Sequence, residues 1–360
     1  MRAEGVAVVS SPGGVTAAPK GLTITAAPSI EEWNRFVAAM GASGYHAWEW
    51  RGVFERAFGH DTIYLAALRE GRIEGVLPLV LIDSWLFGRA LFSLPFLNYG
   101  GVVAVSEEAA AALLAEAAHI AAERRCAYVE LRHTTRQFPE LPSKRHKVAM
   151  VLPLGPDAGR MWEDLDRKVR NQIRKAQKSG LVAECGGLEL LDEFYTVFAR
   201  NMRDLGTPVY SRRLFAEVLT TFPGRAAIHV VRRGGTAIAA GLTYRTRFTV
   251  EVPWASSLRE HNPLCPNHLL YWSIIEHAIR ERCTALDFGR STPDEGTFRF
   301  KEQWGARPSP FHWEYQLPAG GSLPNTSPTN AKFKLAIAVW QRLPLAVTTT
   351  LGPAIVRSIA

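Results

Sequence analysis

Residues 113–131 and 270–288 spell one pattern twice. Leu113 falls on Leu270, Ala121 on Ala278, Arg125 on Arg282, Cys126 on Cys283, Val129 on Leu286, Glu130 on Asp287 and Leu131 on Phe288, at a constant offset of 157 residues with no gap. In each copy an amphipathic helical pattern runs through an Arg-Cys joint into a short apolar strand pattern. The elements upstream repeat in the same order. Ile63 to Leu68 and Ile73 to Ile82 flank a turn at Glu70 and Gly71, and Ala227 to Arg232 and Thr236 to Tyr244 flank a turn at Gly234 and Gly235, so each half holds a hairpin. Further strand patterns follow at Ala90 to Leu94 and Val102 to Val105 in the first half and at Thr249 to Trp254 in the second. Repetition of a whole unit predicts a duplicated α/β domain.

At 360 residues the chain accommodates two domains of ordinary size, and 47% apolar with 21% charged residues excludes general disorder. The formal net charge of +8 favours anionic partners such as nucleic acid, nucleotide-linked substrates or acidic lipid surfaces. Cys126, Cys185, Cys265 and Cys283 lie far apart without a CxxC pair, so the spacing signals neither a zinc site nor a disulfide framework, and a cytoplasmic location follows. The expected organisation is a loose leader at 1–20, a first domain at 21–143, a second at 144–318, a Gly-, Ser- and Pro-rich linker at 319–331 and an amphipathic tail at 332–360.

The helical pattern from Asp157 to Ser179 places Met161, Leu165, Val169, Ile173 and Ala176 on one stripe and Arg167, Lys168, Arg170, Arg174, Lys175 and Lys178 around the rest. Such a face is either solvated or a track for donor phosphates, for which Arg170, Arg174 and Lys175 are the candidates. In the tail no segment reaches the ~20 apolar residues of a spanning helix. Lys332, Lys334, Arg342 and Arg357 beside Trp340 and leucines suit a helix lying on a membrane surface, and equally one packed on its own domain.

The stretch Thr284 to Gly305, TALDFGRSTPDEGTFRFKEQWG, reads as a buried strand followed by a loop in which charges alternate with aromatics. The carboxyl end of a strand is where open α/β sheets bind ligands. Lys301 can neutralise a developing oxyanion or a donor phosphate, Phe300 can shape an acceptor channel, Asp287 can orient the acceptor amine, and Asp294 or Glu295 can act as the base. Asp287 can equally be a structural partner of Arg290. Arg290 and Arg299 suit phosphate or carboxylate, and Tyr210, Arg212 and Trp304 complete the candidate substrate surface. No HExxH, GxSxG or P-loop pattern occurs.

The LPLV run at Leu77 to Val80, the SLPFLNYGG turn, the RKVRNQIRKAQKSG helix, the GTPVYS turn at Gly206 to Ser211 and the LDFGRSTPDEGTFRFKEQWGA stretch, taken together in this order, resemble the FemAB family, and within it the branch associated with exosortase and PEP-CTERM exopolysaccharide systems. The resemblance spans roughly residues 21–317. It implies two tandem N-acetyltransferase-like (GNAT-like) α/β domains with mixed sheets, and transfer of an aminoacyl group from aminoacyl-tRNA to an amine of a peptidoglycan-type or glycan precursor, without a tightly bound cofactor. It also implies a Phe-Lys pair at the reacting centre, which here is Phe300 and Lys301. The chain departs from acetyl-CoA-dependent relatives of the superfold in lacking an Arg/Gln-x-x-Gly-x-Gly/Ala loop. SSLREHNPLCPNH, before the Leu269 helix, has no glycine, which favours aminoacyl-tRNA or another acyl donor over classical acetyl-CoA binding. A different class is a non-catalytic binder whose Trp48, Trp50, Tyr99 and Trp254 line a sugar-stacking groove.

Overall fold

The computed structural model describes residues 21–84, 88–145, 147–324 and 331–359. The leader at 1–20 and residues 325–330 of the linker lie outside them. The first half comprises β1 (Leu22–Thr25), α1 (Ile30–Ala39), α2 (Trp50–Phe58), β2 (Asp61–Arg69), β3 (Arg72–Ser84), β4 (Gly88–Phe92), β5 (Val103–Ala104), α3 (Glu107–Glu123), β6 (Val129–His133) and β7 (Ser143–Lys144). The second continues with β8 (Val148–Pro153), α4 (Ala158–Asp164), α5 (Arg167–Lys178), β9 (Leu181–Gly186), α6 (Leu191–Leu205), α7 (Arg212–Thr221), β10 (Ala226–Arg233), β11 (Thr236–Arg245), β12 (Thr249–Ser257), α8 (Pro266–Arg280), β13 (Ala285–Ser291), α9 (Gly296–Glu302), β14 (Arg307–Pro310) and β15 (His312–Gln316). The tail forms α10 (Ala331–Trp340) and α11 (Leu345–Val356).

Local chemistry accounts for the repeat. Both hairpins close through two residues with positive φ, Glu70 and Gly71 in one and Gly234 and Gly235 in the other. That is the primed turn whose twist matches paired strands. Each hairpin carries its bulge at the same place, between Ala67 and Leu68 and between Val231 and Arg232. α3 and α8 end alike: Arg125 and Arg282 enter the left-handed region at φ 55° and 58°, and the Cys126 and Cys283 amides donate back to Ala121 O and Ala278 O. The gapless alignment is therefore a three-dimensional one, and β6 and β13 hold the same place in their sheets.

One sheet runs β1-β2-β3-β4-β6-β15-β7, with β5 beside β3, and the other runs β9-β10-β11-β12-β13-β8-β14. Both are antiparallel except where β4 meets β6 and β12 meets β13. The halves trade a strand. Counted by the repeat, β8 is the counterpart of β15, since it follows β7 as β15 follows β14; β8 pairs with β13 in the second sheet, while β15 fills the place between β6 and β7 in the first. The boundary read at 143/144 thus divides the sequence but not the sheets. A continuous core crosses it, with Trp33, Tyr45, Trp50 and Tyr64 packed with Phe194, Phe215, Tyr244 and Trp254. The Tyr244 hydroxyl donates to Gly44 O at 2.9 Å. Two tandem GNAT-like α/β domains describe this architecture.

The single helix expected over Asp157 to Ser179 is two. Leu165 is extended, and Asp166 restarts the helix by accepting from the Lys168 amide at 2.6 Å. Capping by a short acidic side chain wins over apolar periodicity there. The apolar stripe nevertheless survives the break, since Met161, Leu165, Val169, Ile173 and Ala176 are all buried.

The tail packs on its own second domain. α11 lies along α6, burying Thr348, Gly352 and Val356, and Gln341 Nε2 donates to Asp204 O. A Cβ on Gly352 would lie 2.8 Å from Val209 N. Leu335, Val339, Leu351 and Ile355 stay exposed. Among the described residues no helix is long and apolar enough to cross a membrane.

Two outcomes follow from this packing. Residues 21–145 expressed alone lack β15 and should show no cooperative thermal transition; a native-like melt of that fragment would mean the exchanged strand is dispensable. Gly352→Leu in the full chain should lower the melting temperature by several degrees, because overpacking typically costs about 1–3 kcal/mol; an unchanged melt would show that the packing of α11 contributes nothing.

Candidate functional site

β12 and β13 run parallel for three residue pairs, Thr249 with Ala285, Val250 with Leu286 and Glu251 with Asp287, and then part. Parting parallel strands open a crevice at their carboxyl ends. The last pair before the opening is two acids, both buried, with Glu251 at 5% and Asp287 at 2% exposure. Asp287 accepts from the Gly289 amide at 2.7 Å and from the Tyr99 hydroxyl. Tyr99 comes from the other half, on the 93–101 turn, so the crevice lies at the seam between domains.

Burial lifts both acids above the usual carboxylate range. Glu251 rises well above it, with the Asp287 charge beside it as the next cause and the neighbouring Tyr45 hydroxyl opposing the rise. For Asp287 the Tyr99 hydroxyl, the Gly289 amide and Lys301 oppose the rise. Two acids on adjacent strands cannot both ionise cheaply, so the pair holds protons more tightly than two separate carboxyl groups would.

Lys301 is 7% exposed. The segment read as a loop after β13 is partly the short helix α9, which turns Lys301 inward. Its Nζ donates to Gly289 O at 3.1 Å and Arg290 O at 3.0 Å, carbonyls next to the irregularity where β13 slips against β8. Lys301 therefore braces the end of β13 and keeps one donor position. Burial pushes its ammonium down to about 8, while Asp287 pulls the other way.

The same place in the first half is chemically spent. Glu130 occupies the Asp287 position, also buried, but Arg132 donates to it at 2.8 Å. The residue aligned with Arg132 is Gly289, at φ 75°. A Cβ there would lie 3.1 Å from Val252 O, and the second half has no arginine in this position beside its acid.

Of the residues expected from sequence, Asp287, Lys301 and Arg290 come together. Arg290 is exposed beside the crevice, its guanidinium 5.5 Å from the Trp313 ring centroid, with Arg132 4.4 Å from the same ring. Tyr210 is half-buried among Phe96, Phe58 and Trp254, and the Arg290 charge acts on it. The others lie apart. Phe300 packs with His268 and Tyr271, and Trp304 is buried against Phe288, so both belong to the core rather than to a channel. Arg212 pairs with Asp192 on the surface at 2.6 Å. Asp294, at φ 64°, and Arg299 are exposed. On α5, Lys175 is exposed, Arg174 is exposed and lies 5.2 Å from the Trp162 ring, and Arg170 is half-buried with its Nε unpartnered among the described residues. The aromatic groove does not exist as expected, because Trp50 and Trp254 are core residues.

Sequence patterns alone do not single out Glu251, and they place Tyr99 only on a stacking surface. An acid inside an apolar strand pattern is the available signal for Glu251; its pairing with Asp287 requires the register.

The fold has counterparts among known proteins. The family model of the acetyltransferase (GNAT) domain matches residues 164–302. No curated protein sequence matches the chain. Among solved structures, FemX is similar over 81% of this chain and 97% of its own, at 15% identity and a TM-score of 0.60. The C-terminal domain of a putative lysylphosphatidylglycerol synthetase from Agrobacterium fabrum is similar over 81% and 92%, at 12% identity and 0.56. A tandem GNAT protein from the clavulanic acid biosynthesis pathway is similar over 84% and 100%, at 13% identity and 0.55. The chain has the GNAT-like superfold in tandem.

If the basic face of α5 binds a polyanionic donor, replacing Arg170, Arg174 and Lys175 with Gln should weaken tRNA binding in a filter assay. It should also reduce the slope of log K against log salt by about 0.7–0.9 for each phosphate no longer neutralised. An unchanged slope would return that face to plain solvation.

Proposed function

We propose that the protein transfers an aminoacyl or other acyl group from an anionic carrier to an amine of a cell-envelope or exopolysaccharide precursor. The observation that carries this reading is the buried Glu251–Asp287 pair beside Lys301 at the opening between β12 and β13. Aminolysis of an ester or thioester needs a proton acceptor, a cation or donor for the oxyanion and a site shielded from water. Asp287, held by Tyr99, accepts the proton as the amine nitrogen bonds to the carbonyl carbon. The remaining donor position of Lys301 faces the charge that grows on the carbonyl oxygen. Collapse of the tetrahedral species breaks the bond to the carrier, whose oxygen or sulfur leaves with the proton. Arg290 at the mouth suits a phosphate or carboxylate of either substrate.

Support for an aminoacyl carrier comes from the likeness to FemX and to a domain named for lysylphosphatidylglycerol synthesis. For acetyl-CoA, the residues do not fit the glycine loop of the superfold. A 3-10 helix fills Arg259–Leu264, and Cys265 and Pro266 open α8. The FemAB branch linked to PEP-CTERM systems and a membrane-surface role for the exposed side of the tail belong to this same reading. A purely binding role loses support with its aromatic groove.

Incubation with precursor glycans and a panel of charged tRNAs and acyl-CoAs, read by mass increment, should identify a donor and acceptor. Asp287→Asn should then lower turnover about 100-fold to 10,000-fold, the usual worth of a positioned general base. Lys301→Met should lower kcat by about 100-fold to 1000-fold with little change in KM, measured per folded molecule because two carbonyls lose their donor. Since the Lys301 ammonium loses its charge on rising through about pH 8, wild-type kcat should decline above that pH and the methionine variant should lack the decline. A flat wild-type profile from about pH 7 to about pH 9.5, spanning that titration, would remove Lys301 from the chemistry.

A further inference from the structure

We propose that Cys185, His229 and His277 form a binding site for a thiophilic transition-metal ion, Zn2+ in the first instance, which ties the edge strand β9 to β10 and α8. The inference is independent of the transfer reading. Cys185 and His229 face each other in the antiparallel register of β9 and β10, and α8 carries His277 over the same sheet. The Cys185 Sγ lies 3.8 Å from His229 Nε2 and 3.8 Å from His277 Nδ1, and the three donor atoms all lie within 4.8 Å of one another.

A tetrahedral ion with metal–sulfur bonds of ~2.3 Å and metal–nitrogen bonds of ~2.0–2.1 Å requires sulfur–nitrogen separations of about 3.6 Å. The observed spacing reaches that with small side-chain rotations. His229 is fully buried and among the described residues its Nδ1 has no hydrogen-bond partner, which leaves Nε2 as the ring's polar contact. Its Nε2 meets Cys185 and, at 3.4 Å, the Thr243 hydroxyl.

The donor set selects the ion. One thiolate and two imidazoles with no carboxylate disfavour Ca2+ and Mg2+ and suit Zn2+, Co2+ or Cu+. Cys185 is exposed, so the fourth position opens to solvent and takes a water. Arg280 and Glu281 follow His277 at the end of α8 and contribute opposite charges nearby. β9 is an edge strand, and a clip there would hold a sheet edge that otherwise rests on one neighbour. No motif spacing marks this site, because the three ligands are 44 and 48 residues apart along the chain.

The test uses the full chain without a polyhistidine tag, reduced and stripped with chelator, and titrated with Co2+ and then Zn2+. A single equivalent of Co2+ should produce a thiolate-to-cobalt absorption band and tetrahedral visible bands, both displaced by Zn2+, and Zn2+ should raise the melting temperature. Cys185→Ser should abolish the thiolate band. His277→Ala should weaken Zn2+ binding at least about 100-fold, more than loss of an outer-shell partner usually does. Cys126→Ser should change neither. Neither Cys185 nor His277 is fully buried, and an unchanged apo melt in both variants shows that the fold is retained. Absence of a thiolate band at one equivalent, Zn2+ affinity weaker than about 10 µM against the far tighter structural zinc sites, or binding that survives Cys185→Ser would each overturn the proposal.

Discussion

The exchange of β8 and β15 is the constraint on which the rest of the molecule depends. Only Arg145 to Lys147 separate β7 from β8, and only Phe311 separates β14 from β15. Connections so short cannot carry a strand back over its own sheet, so at each crossing the chain steps into the other half. Ala149, Phe311, Trp313 and Tyr315 pack where the crossings meet, and Tyr99 lies edge-on to Phe311 at 5.5 Å. The hydroxyl of that tyrosine reaches Asp287. The acid is therefore flanked by β12 on one side, by the immigrant strand β8 on the other and by a tyrosine from the first half above.

Duplication does not make the two halves equivalent. In the first, the Glu130 charge is met by Arg132, whose guanidinium also donates to Leu97 O and lies beside Trp313. A buried ion pair of this kind is inert, since each charge is satisfied by the other and by neighbouring carbonyls. In the second, glycine replaces the arginine and a second acid replaces Phe92 across the parallel pair. The outcome is a carboxyl group whose proton affinity is tunable, with a lysine brought in from α9 by a different route. One copy has become scaffold and the other keeps groups able to exchange a proton.

Much of the fold is legible in the sequence because its signals are local. Primed turns at Glu70–Gly71 and Gly234–Gly235, the Ser29 and Ser106 caps and the Arg-Cys helix ends each act over a few residues. The exchange is not legible, since pairings such as Trp313 with Arg132 join residues with no local relation. Asp166 breaks an otherwise good helical period because a cap is a single residue's choice. At the site, charge near a strand end is enough to pick out Asp287, Lys301 and Arg290. Phe300 and Trp304 cannot be distinguished from site residues until α9 fixes which of its sides faces inward. Helices α6 and α7 and strand β9 carry the site only indirectly, and their patterns are overshadowed by the repeat.

The exchange also sets a timetable for synthesis. β6 is complete early, but the strand that must lie between it and β7 comes roughly 180 residues later, and at about 5–20 residues per second that is a wait of roughly 10–35 s. Throughout that interval the nascent first half presents the hydrogen-bond-hungry edge of β6 to its surroundings, the kind of edge that recruits neighbouring chains on a polysome. Vectorial folding, domain after domain, is closed to this protein: its first sheet is finished by a strand made only after the second sheet's own strands, and a chaperone shielding that edge would act on the first half while the second is still being made.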